Sequence, residues 1–209
     1  MRKHDYRQAK IYSDIRPKLK QILKDDDLVK QLLGKTKILK FKKNTNLNPD
    51  KSEQDSIYIL YTGMIHVCTV LEGTQPKNLT DCLFFKIGDL IRLDYSLDNT
   101  PPLTKKTYQA IRDSILLRIS IQDWNELSKK YTQLISYYRL TIINEHMWHK
   151  QLRNMRFLNV MDRYYWLENH YPELCSLERR HLLSLLDISL SSYKNIKKEL
   201  KKQRQVPPA

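Results

Sequence analysis

Apolar residues change their spacing along the chain, and each change marks a different kind of predicted structure. Between residues 6 and 34 they recur at helical spacing, and the acidic run at residues 25–27 divides this stretch into two short helices. From residue 36 to residue 121, short apolar runs alternate with turn-forming residues, which predicts an antiparallel β sandwich or barrel. The predicted strands are Lys37–Phe41, Ile57–Tyr61, Met64–Leu71, Leu79–Lys86 and Ile115–Ile121.

Residues 122–156 lack turn signals and have the apolar spacing of one long helix. The apolar stripe of this helix is too wide for packing against a single surface. We therefore expect one side to cover the sheet and the other to meet a second subunit. The residues assigned to this dimer interface are Leu134, Tyr138, Ile142, Trp148 and Leu152. A helix packed wholly within its own chain is the alternative.

Three short helices are predicted after residue 157. The first spans Asp162–Asn169, the second begins near Ser176, and the third runs from Leu190 to about Lys202. Ser189 is the expected N-cap of the third helix, whose inward residues are Leu190, Tyr193, Ile196 and Leu200. Residues 186–189 leave room only for a tight turn, so the last two helices form a helix-turn-helix.

These elements, in this order, resemble the Crp/Fnr superfamily of transcription regulators. The most specific residues are Asp162-Arg163-Tyr164, Tyr171-Pro172-Glu173-Leu174 and His181–Leu200, while Gly63, Gly73 and Gly88 fit expected turns. The resemblance implies an α+β protein with three parts. They are a double-stranded β-helix (jelly-roll) sensor domain of the cyclic-nucleotide-binding type at 1–121, a long dimerisation helix at 122–156, and a winged-helix-like helix-turn-helix domain at 157–209.

The third predicted helix carries the candidate DNA-binding residues on the face opposite to its apolar side. Residues 190–204 contain six basic residues and one acidic residue. In a helix-turn-helix, the first residues of this helix reach base edges and later cations meet phosphates. We assign Ser191, Ser192 and Asn195 to bases, and Lys194, Lys197, Lys198, Arg179 and Arg180 to phosphates. A lysine-rich solvated face is the alternative.

The phosphate-binding cassette of the ligand-binding relatives is absent. Its Gly-Glu pair falls here on Arg92 and Leu93, and its Arg-Ser pair falls near Thr104 and Lys105. We expect no response to cyclic nucleotide, because the Glu that would accept the ribose hydroxyl is missing. Arg92, Thr104 and Lys105 remain the candidate residues of a pocket for another anion, and the effector stays unassigned.

Charge and composition narrow the class of function. The net charge of +14 comprises +9 over residues 1–51, zero over 52–150 and +5 over 151–209, so the cationic excess lies at the two ends. Cys68, Cys82 and Cys175 match no metal-ligand or disulfide spacing. We find no signal peptide, membrane span, Gly-rich phosphate loop, HExxH or GxSxG, so we expect a cytoplasmic protein without a cofactor or metal that is not an enzyme.

These observations predict a homodimeric, sequence-specific DNA-binding transcription regulator of the Crp/Fnr type. Its expected partners are DNA and a second copy of the chain, with RNA polymerase as a further candidate, and no membrane. The alternative is a dimeric interaction protein of the same architecture that has lost ligand control and DNA specificity.

Overall fold

The computed structural model describes residues 3–47, 56–71, 79–84, 86–92 and 104–205. Its strands are β1 Lys37–Phe41, β2 Ser56–Leu71, β3 Leu79–Phe84, β4 Leu90–Arg92 and β5 Thr104–Ser120. Its α-helices are α1 Lys3–Leu23, α2 Asp26–Gly34, α3 Ile121–Lys130, α4 Thr132–Arg156, α5 Val160–His170, α6 Arg179–Leu186 and α7 Leu190–Gln205. A 3-10 helix at Pro172–Ser176 joins α5 to α6.

The two predicted N-terminal helices are confirmed, and the acidic run is what separates them. Lys24 has a φ of 56° in the left-handed region, and the carboxylate of Asp25 accepts a hydrogen bond from the backbone N–H of Leu28 at 2.9 Å. A carboxylate in this position caps the start of α2 and satisfies one of its free amides. Both helices bury their apolar sides against the sheet and α3.

The strands form one antiparallel sheet in the order β1-β5-β2-β3, and β4 pairs with β2. β2 and β5 pair along nearly their whole length, from Ser56 opposite Ser120 to Leu71 opposite Thr104. Strands this long bend at their irregularities, and three register shifts lie between Leu60 and Ile65. The sheet therefore wraps into the predicted jelly roll.

Two predicted strands, Ile57–Tyr61 and Met64–Leu71, are one continuous strand, so the prediction of a turn at Gly63 is wrong. Gly63 has a φ of +106° inside β2, and a side chain there would collide with Ser114 of β5. The glycine is therefore required by a β-bulge and by the close approach of β5. In the sequence, a glycine needed for these reasons looks the same as one that marks a turn. Gly88, with a φ of +92°, does lie in a turn, whereas Gly73 falls outside the described residues.

The long helix predicted over residues 122–156 is broken, so the prediction of a single helix is wrong. Tyr131, with φ −126° and ψ 100°, is extended and separates α3 from α4. Its ring is buried at 8% exposure, and its hydroxyl accepts a hydrogen bond from Gln31 of α2 at 2.8 Å. Burial of this one side chain fixes the break, which the apolar spacing does not reveal.

Candidate nucleic-acid interface

The helix-turn-helix is built from α6, a tight turn and α7. Asp187 holds the turn in the left-handed conformation, with φ 51° and ψ 55°, and the amide of Ile188 donates to the carbonyl of Leu183 at 3.1 Å. The predicted N-cap is confirmed, because the Ser189 hydroxyl accepts from the backbone N–H of Ser192 at 3.1 Å. Within residues 121–205 the structure describes no strand, so this range holds no wing.

The buried side of α7 differs from the prediction at its first residue. Ile196 and Leu200 are buried at 3% and 9% exposure, and Tyr193 is half-buried, as expected. Leu190 is 41% exposed, so its predicted inward position is wrong. It lies in the first turn, where α7 has only just left the turn after α6 and has little surface to pack against.

A basic groove runs along the open face between α6 and α7. Its volume is about 300 Å³, and no acidic residue lines it. The lining residues are Arg179, Tyr193, Lys194, Lys197, Lys198 and Lys201. The fold therefore brings Arg179 of α6 beside the lysines of α7, and Lys201 joins the predicted set. Its place one helical turn after Lys197 and Lys198 was a usable signal in the sequence.

Lys197 differs from the other lysines of the groove because its ammonium group is already engaged. It donates a hydrogen bond to the Tyr164 hydroxyl at 3.0 Å and lies 4.9 Å from the centroid of that ring. Its side chain is half-buried, whereas Lys194 and Lys198 are exposed. Lys197 therefore holds α7 against α5 as well as contributing charge to the groove.

Arg180 points toward the jelly roll instead of the groove. Its guanidinium donates to the side-chain oxygen of Asn44 and lies 3.1 Å from Glu178, which also pairs with Lys43. The predicted base-contacting residues Ser191 and Asn195 are exposed on α7, and Ser192 is half-buried. The hydroxyls of Ser191 and Ser192 lie 2.7 and 2.9 Å from that of Ser189, in the cap cluster.

A polar cavity of about 390 Å³ lies where the jelly roll meets α6. The rings of His66 and His181 meet there edge to face, with centroids 5.3 Å apart. Burial, with His181 as a second cause, lowers the pKa of His66 to about 4, and burial likewise lowers the pKa of His181. Both rings are therefore neutral near pH 7. The residues lie far apart in the chain, so only the fold reveals this contact.

The candidate ligand residues do not converge along the sheet. Arg92 pairs with Ile57 at the start of β2, while Thr104 and Lys105 pair with Leu71 and Val70 at its end. The Arg92 side chain is exposed and donates to the Tyr138 hydroxyl at 3.1 Å. The side chains of Thr104 and Lys105, and all of Leu93, lie outside the described residues.

The predicted dimer residues separate into a buried group and an exposed one. Leu134, Trp148 and Leu152 are buried at 0%, 7% and 2% exposure within their own chain, so their assignment to a dimer interface is wrong. They pack against the sheet, the N-terminal helices and α5 to α7, which the spacing alone cannot distinguish from a second subunit. Tyr138 is half-buried, and Ile142 is 50% exposed.

The exposed apolar face of α4 consists of Ile135, Leu140, Ile142, Ile143 and Met147, each 40–57% exposed. Leu140, Ile143 and Met147 are neighbours on the helix surface because they are three and four residues apart. Ile135 and Ile142 lie on the adjoining row, with the exposed Arg139 between them. Exposed apolar residues that are grouped in this way mark an interaction surface more often than isolated ones do.

The part of the chain that the structure describes holds neither a metal site nor a membrane-spanning helix. Among the described residues, no group of three or more His, Cys, Asp or Glu side chains is arranged to hold a metal ion. In that same part of the chain, no helix has the length and apolar character that a membrane crossing requires.

Comparison with known proteins supports the architecture at the level of three-dimensional structure. No family model matches the chain, and no curated protein matches its sequence. FixK2 from Bradyrhizobium japonicum superposes with a TM-score of 0.63 at 13% identity, over 83% of this chain and 88% of its own. The c-di-GMP responsive global regulator CLP from Xanthomonas campestris gives a TM-score of 0.64 at 13% identity, over 88% and 96%.

A third solved structure extends this likeness. A chain from Eubacterium rectale assigned to the crp/fnr family of transcriptional regulators gives a TM-score of 0.63 at 11% identity, over 88% of this chain and 87% of its own. The chain therefore shares the overall fold of these three solved structures. The α+β fold expected from the sequence, a jelly roll followed by a helix-turn-helix, is confirmed.

Proposed function

We propose that this protein is a homodimeric, sequence-specific DNA-binding transcription regulator of the Crp/Fnr type that does not respond to cyclic nucleotide. The observation that carries the proposal is the basic groove of the helix-turn-helix, where Arg179 and the lysines of α7 converge and no acidic residue forms part of the lining. A groove of this charge attracts a polyanion and releases the counterions condensed on it. The lysine spacing of α7 alone would give a solvated cationic face. The presence of Arg179 from α6 in the same groove favours a binding surface over that alternative.

Within the groove, we divide the roles by position and exposure. Lys194, Lys198, Lys201 and Arg179 contact phosphates, while Ser191 and Asn195, which are exposed near the start of α7, contact base edges. Ser192 reads bases from beside the cap, with less freedom because of its contact with Ser189. Lys197 adds a weaker phosphate contact, since Tyr164 already holds its ammonium group. Arg180 is left out of the phosphate set, because it points away from the groove to Asn44.

Dimerisation through the exposed apolar face of α4 is the second part of the proposal. Association of two copies through this face would remove its five large apolar side chains from water. A two-fold dimer presents two copies of α7, which read half-sites about one helical turn of DNA apart. The division into parts at residues 121 and 157, and a cytoplasmic location with access to DNA, belong to this proposal.

A binding experiment on random DNA tests the function. The purified protein is mixed with a random fragment pool at several salt concentrations, and the bound DNA is sequenced. We expect a palindromic motif and an affinity that falls steeply with salt. Binding that stays constant from low to moderate salt would contradict the role of the groove.

Two matched variants test the division of roles. Lys194→Glu should weaken binding to every sequence alike, because a phosphate contact carries no sequence information. Asn195→Ala should change the preferred sequence while leaving the salt dependence almost unchanged. Identical effects of the two substitutions would overturn the assignment.

The alternative, a dimeric interaction protein of the same architecture, is favoured by the modest set of base-reading residues. Serine and asparagine discriminate between bases less than the bidentate contacts of arginine do. Retention of random DNA without enrichment of any motif, together with a stable dimer, would support this alternative.

A further inference from the structure

Within the segment Asp162-Arg163-Tyr164, at the start of α5, Arg163 has no role in the function proposed so far. Asp162 closes the helix start with Asn159, whose side-chain oxygen accepts from the Asp162 amide at 2.9 Å. The next two residues contact different helices of the helix-turn-helix, Arg163 at the end of α6 and Tyr164 at α7.

Arg163 connects the ends of two other helices. Its guanidinium donates to the carbonyls of Arg156 at 2.7 Å and Leu158 at 3.0 Å, at the end of α4. It also donates to the carbonyls of Leu186 at 3.1 Å and Asp187 at 2.8 Å, at the end of α6. One planar side chain therefore bridges the exit of α4 and the turn of the helix-turn-helix.

The chemistry of this position suits arginine. The last carbonyls of a helix have no partner within the helix, and the helix dipole places negative charge at that end. A guanidinium offers five N–H donors in a fixed fork, so it can satisfy two helix ends at once. A lysine ammonium is a single point and cannot span them in the same way.

The neighbouring residue, Tyr164, adds a contact between α5 and α7. The ring of Tyr164 is buried at 4% exposure, and its hydroxyl accepts the hydrogen bond from Lys197 of α7. Arg163 thus holds the turn before α7, and Tyr164 holds α7 itself.

We infer that Arg163 is a positioning residue that sets the angle between α4 and α7, and thereby the half-site spacing that the dimer reads. This inference rests on the proposed function for the spacing, although the contacts at the two helix ends stand without it. Because α4 carries the proposed dimer face, any change in this angle moves the two copies of α7 relative to each other.

The first test needs no DNA. Hydrogen exchange is followed in the wild type, in Arg163→Gln and in the control Arg153→Gln, which removes an exposed arginine from the last turn of α4. We expect about tenfold faster exchange at the Ile188 amide in Arg163→Gln, with the jelly roll unchanged, because the loss of charged hydrogen bonds loosens the turn. Exchange equal to that of the control would overturn the inference.

The second test uses DNA with two half-sites at varied spacing. The wild type should bind one spacing best, whereas Arg163→Gln should bind neighbouring spacings nearly as well. Arg163→Lys keeps the charge and therefore the fold, yet we expect it to lose spacing preference too. A fall in affinity with an unchanged spacing profile would show that Arg163 only stabilises the protein, which overturns the inference.

The two tests separate failure of this inference from failure of the proposed function. If the wild type binds no DNA at any spacing, the proposed function and the spacing role both fall. The exchange measurement still decides whether Arg163 holds the turn. If the wild type binds DNA but exchange is unaffected by Arg163→Gln, the inference alone falls.

Discussion

Helices α4 and α7 each leave one face uncovered, and the two faces have opposite chemistry. On α4 the uncovered side chains are large and apolar, up to 57% exposure at Ile143. On α7 they are lysines, lined up with Arg179 in a groove. Salt weakens attraction between a cationic surface and DNA, while it leaves apolar association intact or strengthens it. The chemistry of an uncovered face therefore indicates which partner it can take.

The same two helices also differ in how their buried sides are used. α4 buries residues in two separate clusters, Leu134 with the N-terminal helices and Leu152 with residues of α5, α6 and α7. α7 contributes Ile196 and Leu200 to the second cluster only. α4 thus contributes to both cores, as β2 and β5 do, whereas α7 contributes to one of them.

The largest expected effect concerns the buried side of α4. Leu134→Ala should lower the free energy of unfolding by about 2–5 kcal/mol, because it leaves a cavity in a fully packed site. The control Lys150→Ala, on an exposed position of the same helix, should stay within about 0.5 kcal/mol. Urea denaturation measures both. Equal values would mean that Leu134 belongs to an interface and not to the core.

The second effect concerns the contact between His66 of the jelly roll and His181 of α6. Because burial lowers the pKa of His66 to about 4, the unfolded chain binds a proton more readily than the folded one. Stability should be complete above about pH 6.5 and should fall by up to about 3 kcal/mol as the pH decreases toward 4.

The contribution of His66 to this pH dependence of stability can be isolated with a variant. Urea denaturation of His66→Phe across the same pH range should show a smaller decline than the wild type, because the titrating ring is gone. His181, Arg180 and Cys68 line the same cavity, so their contributions remain in both proteins. Parallel curves for the two proteins would exclude His66 as the source.

The third effect tests the apolar face of α4. Ile142→Glu should weaken self-association by at least about tenfold, because a charge would have to be buried at the interface. Sedimentation over a range of protein concentrations measures this change. Asn125→Glu, at an exposed position of α3 away from this face, is the control with the same change in charge. A monomeric wild type, or equal behaviour of both variants, would remove the dimer from the proposal.

The smallest effect distinguishes lysines within the groove on α7. Lys198→Gln should reduce the slope of log affinity against log salt by about one, as expected for one lost phosphate contact. Lys197→Gln should change the slope less, since Tyr164 already holds its ammonium group. Fluorescence anisotropy at several salt concentrations gives both slopes. A larger change for Lys197 would reverse our ranking of the two lysines.

Local sequence signals predicted the helix-turn-helix well and the sheet less well. Ser189, Asp187 and the acidic run before α2 act on their own neighbours, so the chain around them suffices to predict the caps and turns. Gly63 misled the prediction because its requirement comes from Ser114, across the sheet. Tyr131 broke the long helix for a similar reason, since its partner lies on α2.

For the candidate site, helical spacing predicted which side chains of α7 are exposed. It did not predict which of them contact other parts of the protein. Lys194, Lys197 and Lys198 look alike in the sequence, and only the packing of α5 singles out Lys197. Arg180 turns toward Asn44 because the jelly roll lies beside α6, a neighbour that no local pattern indicates.

The sequence by itself determined the order of the elements, the tight turn before α7 and the cationic face of that helix, because these depend on residues a few positions apart. Only the tertiary structure decided which apolar residues of α4 are covered, how His66 meets His181, and how Arg163 bridges two helix ends. Each of these depends on groups that are distant in the chain and close in space. Spacing along one helix carries no information about them.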